Sequence, residues 1–350
     1  MSKQSKDIET SGADFTFSPS VAQDIRGKLA EWFQRAGRTL PWREDPSPYA
    51  VLVSEMMLQQ TQVAAVVPYF LRWMERLPTI EDLADASESV VLLLWQGLGY
   101  YSRARNLQKA ARVIVERFHG RVPADPGLLR TLPGVGAYSA GAVASFAFDR
   151  PAAAVDANVA RVLARLKNVQ AAVDTTRGSQ QIWQLAESLL PARGGRLHTS
   201  SLMELGALVC VAKNPRCLEC PVREECAAVD PSQLPRKSPR RATVLLEETA
   251  AWTVQGNNVL LEQQQGRRSG GLWKLPPLPE MGQSEPLFQT VYPFTHHKVT
   301  LRVFAAAAPQ ALGENQRWFS KAAVLAEAAL PAGHLRALQV LLKSESSILS

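Results

Sequence analysis

Leu132-Pro133-Gly134-Val135-Gly136 lies between two stretches of helical spacing, Leu128–Leu132 and Tyr138–Phe148. Two glycines separated by one residue permit a tight turn and a close backbone approach. The unpaired amides at the start of the next helix then suit a phosphate. This is the helix-hairpin-helix pattern, a grip on a nucleic-acid backbone that reads no bases. Taken alone, the pentapeptide is an ordinary helix–helix turn, and its surroundings decide its meaning.

About 75 residues further on, all four cysteines of the chain fall in one window, Cys210, Cys217, Cys220 and Cys226. Four thiolates this close can surround one metal centre. Compact four-cysteine runs hold iron–sulfur clusters, whereas structural zinc more often takes two separated pairs. Two disulfides would require an oxidising compartment. Spacing alone leaves all three readings open.

The amino-terminal stretch MSKQSKDIETSGADF is polar and has no apolar core of the secretory kind. The most apolar run, Val90–Trp95, is far too short to span a bilayer. The expectation is a reducing, cytoplasmic setting near the nucleoid, with residues 1 to 17 as a flexible tail. The 350 residues are 46 % apolar and carry a net charge of +7, enough chain for two or three domains. The excess of base permits a phosphate-rich partner without requiring one.

Residues 18–227 read as successive helices. They include Val21–Gly37, Val51–Val67, Tyr69–Arg76, Ile80–Ala86, Ser87–Trp95, Ala104–Phe118, Asn158–Leu166, Ser179–Leu190 and Thr199–Val211. Residues 228–243 mix Pro231, Pro235 and Pro239 with Arg236, Lys237, Arg240 and Arg241, a basic linker. Beyond it, Val244–Ala251, Trp252–Glu262, Phe288–Pro293 and Val299–Ala306 are strand-like, and Lys321–Ala329 and Gly333–Leu342 helical. The fold class is therefore a mainly α region followed by an α/β domain over 244–350.

Two carboxylates stand out. Glu55 sits in an apolar helical segment, where burial raises its pKa and keeps a proton available. It also reads as a solvated helix glutamate. Asp156 precedes Asn158–Leu166 and suits an N-cap. A paired acid and carboxylate are what cleavage of a glycosidic bond needs: one protonates the leaving group, the other faces the positive charge on the sugar.

Five motifs in order carry a resemblance. They are Leu40-Pro41-Trp42-Arg43, Ser54-Glu55-Met56-Met57-Leu58-Gln59-Gln60-Thr61-Gln62-Val63, the run Trp95–Leu107, the hairpin, and Val155–Val162, closing in the cysteine loop. Together they resemble the helix-hairpin-helix glycosylases with a [4Fe–4S] loop, and among these the MutY-type adenine DNA glycosylases. The resemblance implies two helical subdomains, a cluster on the four cysteines, and removal of adenine mispaired with 8-oxoguanine or guanine in duplex DNA by a protein acting as a monomer, away from membranes. It makes Glu55 the acid that protonates adenine and Asp156 the carboxylate beside the sugar, with Asn158 in the same motif. Tyr138 stands where lyases of the endonuclease III type keep lysine; tyrosine forms no imine, so the expected enzyme is monofunctional. A bifunctional lyase and a non-catalytic DNA-binding module are the alternatives.

The target base must leave the stack to be reached. The resemblance assigns Arg38, Leu40, Trp42, Arg43, Leu58 and Val63 to the adenine pocket. It assigns Gln60, Thr61, Leu98 and Tyr100 to the opposite base, with Tyr100 as a wedge. Leu132, Gly134, Val135 and Gly136 would hold the backbone. Ser200 stands where the family keeps a longer side chain. Lys213, Arg216 and Arg223 in the cysteine loop would meet phosphates. The C-terminal domain resembles a Nudix-like domain, anchored by Gly271–Pro276, without the acidic cluster of a working Nudix hydrolase; Phe294-Thr295-His296 would sense the lesion.

Overall fold

The computed structural model describes residues 15–239, 242–266, 270–278, 285–294 and 296–348. Most of the expected tail, and Thr295, lie outside them. In chain order the helices are α1 (Pro19–Ala36), α2 (Pro41–Glu44), α3 (Pro48–Leu58), α4 (Val63–Arg76), α5 (Ile80–Asp85), α6 (Glu88–Trp95), α7 (Ser102–Phe118), α8 (Pro126–Leu129), α9 (Ala137–Phe148), α10 (Ala157–Leu166), α11 (Thr176–Ser188) and α12 (Gly195–Leu208). Then come β1 (Val244–Trp252), β2 (Val254–Gln255), β3 (Asn258–Gln263), β4 (Trp273–Lys274), β5 (Phe288–Phe294), β6 (His297–Ala305), β7 (Gln316–Ser320), α13 (Val324–Glu327) and α14 (Ala332–Ile348).

The chain divides into two compact units. One holds residues up to Val51, 124–131 and 135–239; the other holds 52–123, 132–134 and 240 onward. In the first, α1, α10, α11 and α12 share a core. Ile25, Leu29, Leu163 and Leu185 are fully buried in it, each contributing about 1.5–3 kcal/mol by leaving water. Cys210, Cys220 and Cys226 pack on the edge of this core.

From Leu52 on, α3 lies in the second unit and is buried on every side, with Leu52, Val53, Met56 and Met57 at most 1 % exposed and Ser54 and Glu55 buried among them. A helix of this kind must be wrapped by others. The single helix expected over Val51–Val67 is in fact interrupted: α3 ends at Leu58, and Gln60 turns the chain at φ 59°. The expected break before Tyr69 does not occur, because α4 runs through Pro68. Proline removes one backbone bond there, but Val66, Phe70 and Trp73 are buried at helical spacing and carry the helix on. Trp73 meets Trp95 edge to face, with centroids 5.7 Å apart.

The C-terminal α/β residues fall in this second unit. The Tyr101 hydroxyl donates to the Leu330 carbonyl (2.8 Å), the Leu330 amide to Gln96 Oε1 (2.7 Å), and Arg105 Nη1 to the Gly270 carbonyl (2.7 Å). Among the described residues, one sheet has the order β1-β6-β5, with β1 parallel to β6. In the other, β3 pairs β2, β4 and β7. Strand β7 is absent from the local reading; β3 recruits Gln316–Ser320 as a partner. The expected helix Lys321–Ala329 shrinks to α13. Glu248 on β1 ties the layers together: it accepts from Lys274 on β4 (2.8 Å) and Tyr292 on β5 (2.7 Å), and bonds His334 on α14 (3.1 Å).

Candidate active site

Asp156 heads α10 as its N-cap. Its Oδ1 accepts from the Val159 amide at 2.7 Å and its Oδ2 from Asn158 Nδ2 at 2.8 Å. Both oxygens are therefore aimed by the first turn of the helix. Burial raises the Asp156 pKa, while these bonds and Arg161 pull it down; the net direction is upward. The N-cap reading holds, and it leaves the carboxylate oriented by the helix.

Asn158 passes the arrangement on. Its Oδ1 accepts from Arg161 Nη2 (2.8 Å), which also reaches the Gly206 carbonyl (2.7 Å), and Arg161 Nε donates to the Cys210 carbonyl (2.7 Å). One helical turn later Arg165, 1 % exposed, donates to the carbonyls of Leu234 and Val211 and lies 3.3 Å from Cys210 Sγ. A continuous set of bonds thus joins Asp156 to the cysteine loop. The sequence reading quoted Arg161 inside a motif but missed its role, and missed Arg165; their spacing of four on one helix face was the available signal.

The four cysteines are free thiols. Burial pushes Cys220 up to about 11, and the charges of the other three cysteines push the same way. Four thiols within one loop are a soft donor set of the kind that holds a metal centre. Among the described residues, no three or more His, Cys, Asp or Glu side chains are gathered closely enough to hold a metal ion. Lys213, Arg216 and Arg223 on this loop are exposed.

Arg38, Leu40, Trp42 and Arg43 lie in the first unit, Leu58 and Val63 in the second. Leu40 and Trp42 are buried, at 7 % and 6 % exposure. Glu204 on α12 organises the arginines. It accepts from Arg38 Nε (2.7 Å), Arg38 Nη2 (3.1 Å), the Arg38 amide (3.0 Å) and Arg43 Nη2 (2.8 Å). Burial alone would raise the Glu204 pKa, but the two arginines outweigh it and hold the carboxyl below its ordinary value. This clamp was not foreseen. Ser200, on the same helix, is buried.

Tyr138, in the first turn of α9, is half-buried. Helix α9 starts after Gly136, which offers no side-chain cap. Leu132 and Val135 are buried, whereas Gly134 and Gly136 are exposed. Gly134 needs to be glycine: its φ is +79°, and a Cβ would lie 2.6 Å from that of Asn106. Glu55, in the second unit, is 3 % exposed. Of the residues assigned to the opposite base, Gln60 and Tyr100 are exposed, Thr61 is half-buried, and Leu98 is buried. Gln60 (φ 59°) and Tyr100 (φ 48°) both adopt the left-handed region, which bulky residues rarely enter. Phe294 pairs with His297 at the β5–β6 hairpin, and His296 is exposed, its ring 4.0 Å from that of His297.

Comparison with known proteins agrees with these motifs. Residues 53–188 match the model of the HhH-GPD superfamily base excision DNA repair proteins. The adenine DNA glycosylase of Mus musculus is 37 % identical, over 82 % of this chain and 71 % of the mouse protein. The chain belongs to the adenine DNA glycosylase family. The family's protein from Homo sapiens is 46 % identical over 66 % of this chain, which spans 44 % of the human protein's length. Among solved structures, a thermostable thymine-DNA glycosylase superposes with a TM-score of 0.54 at 28 % identity, covering 59 % of this chain and 96 % of that one. A non-covalent endonuclease III–DNA complex gives 0.52 at 26 % identity, covering 61 % and 96 %. These two solved structures share the fold of about three fifths of this chain. Among the described residues, no helix is long and apolar enough to cross a membrane.

Proposed function

We propose that the chain is a monofunctional DNA glycosylase that removes adenine opposite 8-oxoguanine, and opposite guanine, leaving an abasic site. The observation that carries this reading is a buried glutamate and a helix-capping aspartate in one chain of this family. Glu55, on α3, is 3 % exposed. Asp156 is held by two donors at the N-terminus of α10, and burial keeps its pKa above the ordinary carboxylate value.

Glu55 donates its proton to N7 of the extruded adenine. The C1′–N9 bond then breaks, and both electrons leave with the base. Asp156 faces the cation that develops on the sugar. Water adds its oxygen to C1′ and returns a proton to the Glu55 carboxylate, which restores the starting state. Tyr138 offers no amine for a Schiff base, so the strand stays intact. Arg38, Leu40, Trp42 and Arg43, with Leu58 and Val63, receive the adenine. The hairpin at Leu132–Gly136 holds the backbone, and the Phe294–His296 hairpin meets the lesion.

Cys210, Cys217, Cys220 and Cys226 hold a [4Fe–4S] cluster, whose part is to shape the loop that presents Lys213, Arg216 and Arg223 to phosphates. Iron and acid-labile sulfide in the purified protein, with broad visible absorbance lost in Cys217→Ser, test this; a colourless zinc protein refutes it.

Duplexes with adenine opposite 8-oxoguanine, incubated with the wild type, Glu55→Gln and Asp156→Asn, test the reaction. Adenine release by the wild type alone is expected. No release by the wild type sinks the reading, and strand scission without added base sinks the monofunctional part.

A further inference from the structure

Arg103, at the start of α7, is buried at 7 % exposure. Among the described residues no carboxylate pairs with it, and burial pushes its guanidinium down to about 10, still charged at neutral pH. Its partners are six oxygens on two loops. Nη1 donates to the carbonyls of Met56 (3.1 Å), Met57 (2.9 Å) and Gln59, and Nη2 to the carbonyls of Leu98 (3.0 Å) and Gly99 (3.1 Å) and to Thr61 Oγ1 (3.3 Å). The cation lies between two rings, 5.2 Å from the Trp95 centroid and 5.7 Å from that of Tyr100.

Met56 and Met57 lie in the last turn of α3, whose carbonyls have no intrahelical partner. Leu98 and Gly99 lie in the turn beyond α6, where the Gly99 carbonyl also accepts from Trp95 Nε1 (3.0 Å). One planar fork therefore bridges the end of α3 and the turn after α6. Each of those segments is followed by a residue in the left-handed region, Gln60 on one side and Tyr100 on the other. Such conformations persist only where the surroundings over-determine them. A flexible ammonium cannot replace the fork, because its three donors cannot serve two separate rows of carbonyls.

We propose that Arg103 is a positioning residue that locks the Gln59–Thr61 turn and the Leu98–Gly99 turn into one register, so that Gln60 and Tyr100 meet the duplex as a preformed pair. The inference rests on the function proposed above, in which those two loops enter the DNA. It assigns to Arg103 the discrimination between lesion and undamaged duplex, and leaves the bond-breaking step to Glu55 and Asp156.

The test uses the full chain as wild type, Arg103→Lys, Tyr100→Ala and Arg112→Met. Arg112 is the control: on the same helix, it donates to the Ala84 carbonyl at 3.0 Å and makes no bond to either loop. Affinity is measured for a duplex with a non-cleavable adenine analogue opposite 8-oxoguanine and for an undamaged duplex, together with the single-turnover rate at saturating DNA and the Tm. Arg103→Lys is expected to lose roughly tenfold or more of the ratio between the two affinities, with a much smaller change in the saturated rate. Arg112→Met is expected to keep the wild-type ratio at a similar Tm. Wild-type discrimination in Arg103→Lys, or an equal loss in Arg112→Met, overturns the inference. Should Arg103→Lys not fold, Thr61→Val, which removes one acceptor and keeps the cation, must show a loss in the same direction; an unchanged ratio there overturns it too. Wild-type binding of both duplexes by Tyr100→Ala would instead refute the entry of these loops into DNA, and so is told apart from failure of the Arg103 role alone.

Discussion

Gly206 on α12 faces Asn158, the residue that holds Asp156. A Cβ at position 206 would lie 2.6 Å from Asn158 Cβ and 3.0 Å from its carbonyl oxygen. Carbon atoms pack best at about 3.5–4.0 Å, so Gly206→Ala requires roughly 1 Å of movement between the two helices. The substitution has two opposed effects on stability. Alanine in a helix gains about 0.5–1 kcal/mol over glycine, and overpacking a tight contact costs about 1–3 kcal/mol. The net expectation is a loss of about 1–2 kcal/mol. The chemistry should suffer more, because a misplacement of about 1 Å in a catalytic group can cost on the order of 100-fold, or about 2.7 kcal/mol of barrier. Single-turnover adenine release at saturating duplex, with thermal unfolding alongside, measures both. Gly27→Ala on α1 is the matched control: nothing lies within 4 Å of its Cβ, so it should keep the wild-type rate and stabilise by up to about 1 kcal/mol. A Gly206→Ala protein as active as the wild type and at least as stable would refute the argument that this contact sets the position of Asp156.

Glu204→Gln leaves Arg38 and Arg43 facing a neutral amide; because both arginines are partly exposed, the expected cost is about 2 kcal/mol, read by urea unfolding, and an unchanged midpoint would contradict the clamp. His198 gives an acid-dependent loss. Burial holds its pKa down to about 4, with Arg26 pushing the same way, below the unfolded value of about 6.5. That stability is complete above about pH 6.5 and drains as the pH falls toward 4, by up to about 3 kcal/mol. His198→Gln should flatten the difference in unfolding free energy between about pH 7 and pH 4.5; an identical acid slope in wild type and variant argues against it. Tyr101→Phe removes the bond to the Leu330 carbonyl and should cost about 1 kcal/mol, with faster proteolysis of the C-terminal residues; wild-type resistance would show that this bond does not hold them.

Helical periodicity made α1, α5, α6, α7, α9 and α10 legible, since a residue's neighbours three and four positions away share its face. Asp156 read as an N-cap for the same local reason. The break at Gln59–Gln62 was missed although four polar residues interrupt the apolar pattern there; the left-handed conformation of Gln60 and the bonds from Arg103, more than forty residues later, are not visible in local periodicity. Strand β7 escaped notice because its partner β3 is more than fifty residues earlier.

By itself the sequence determined the order of the motifs, the four-cysteine window, the two carboxyl positions and the absence of lysine at 138. Each is a matter of which residue stands where. Only the tertiary structure decided that Glu204 clamps Arg38 and Arg43, that Arg161 and Arg165 connect Asp156 to Cys210, and that Leu98 is buried while Tyr100 is exposed. Those contacts join distant segments. Hydrophobic patterning selects the buried face of an element, but the partner that face meets depends on how all the elements pack together.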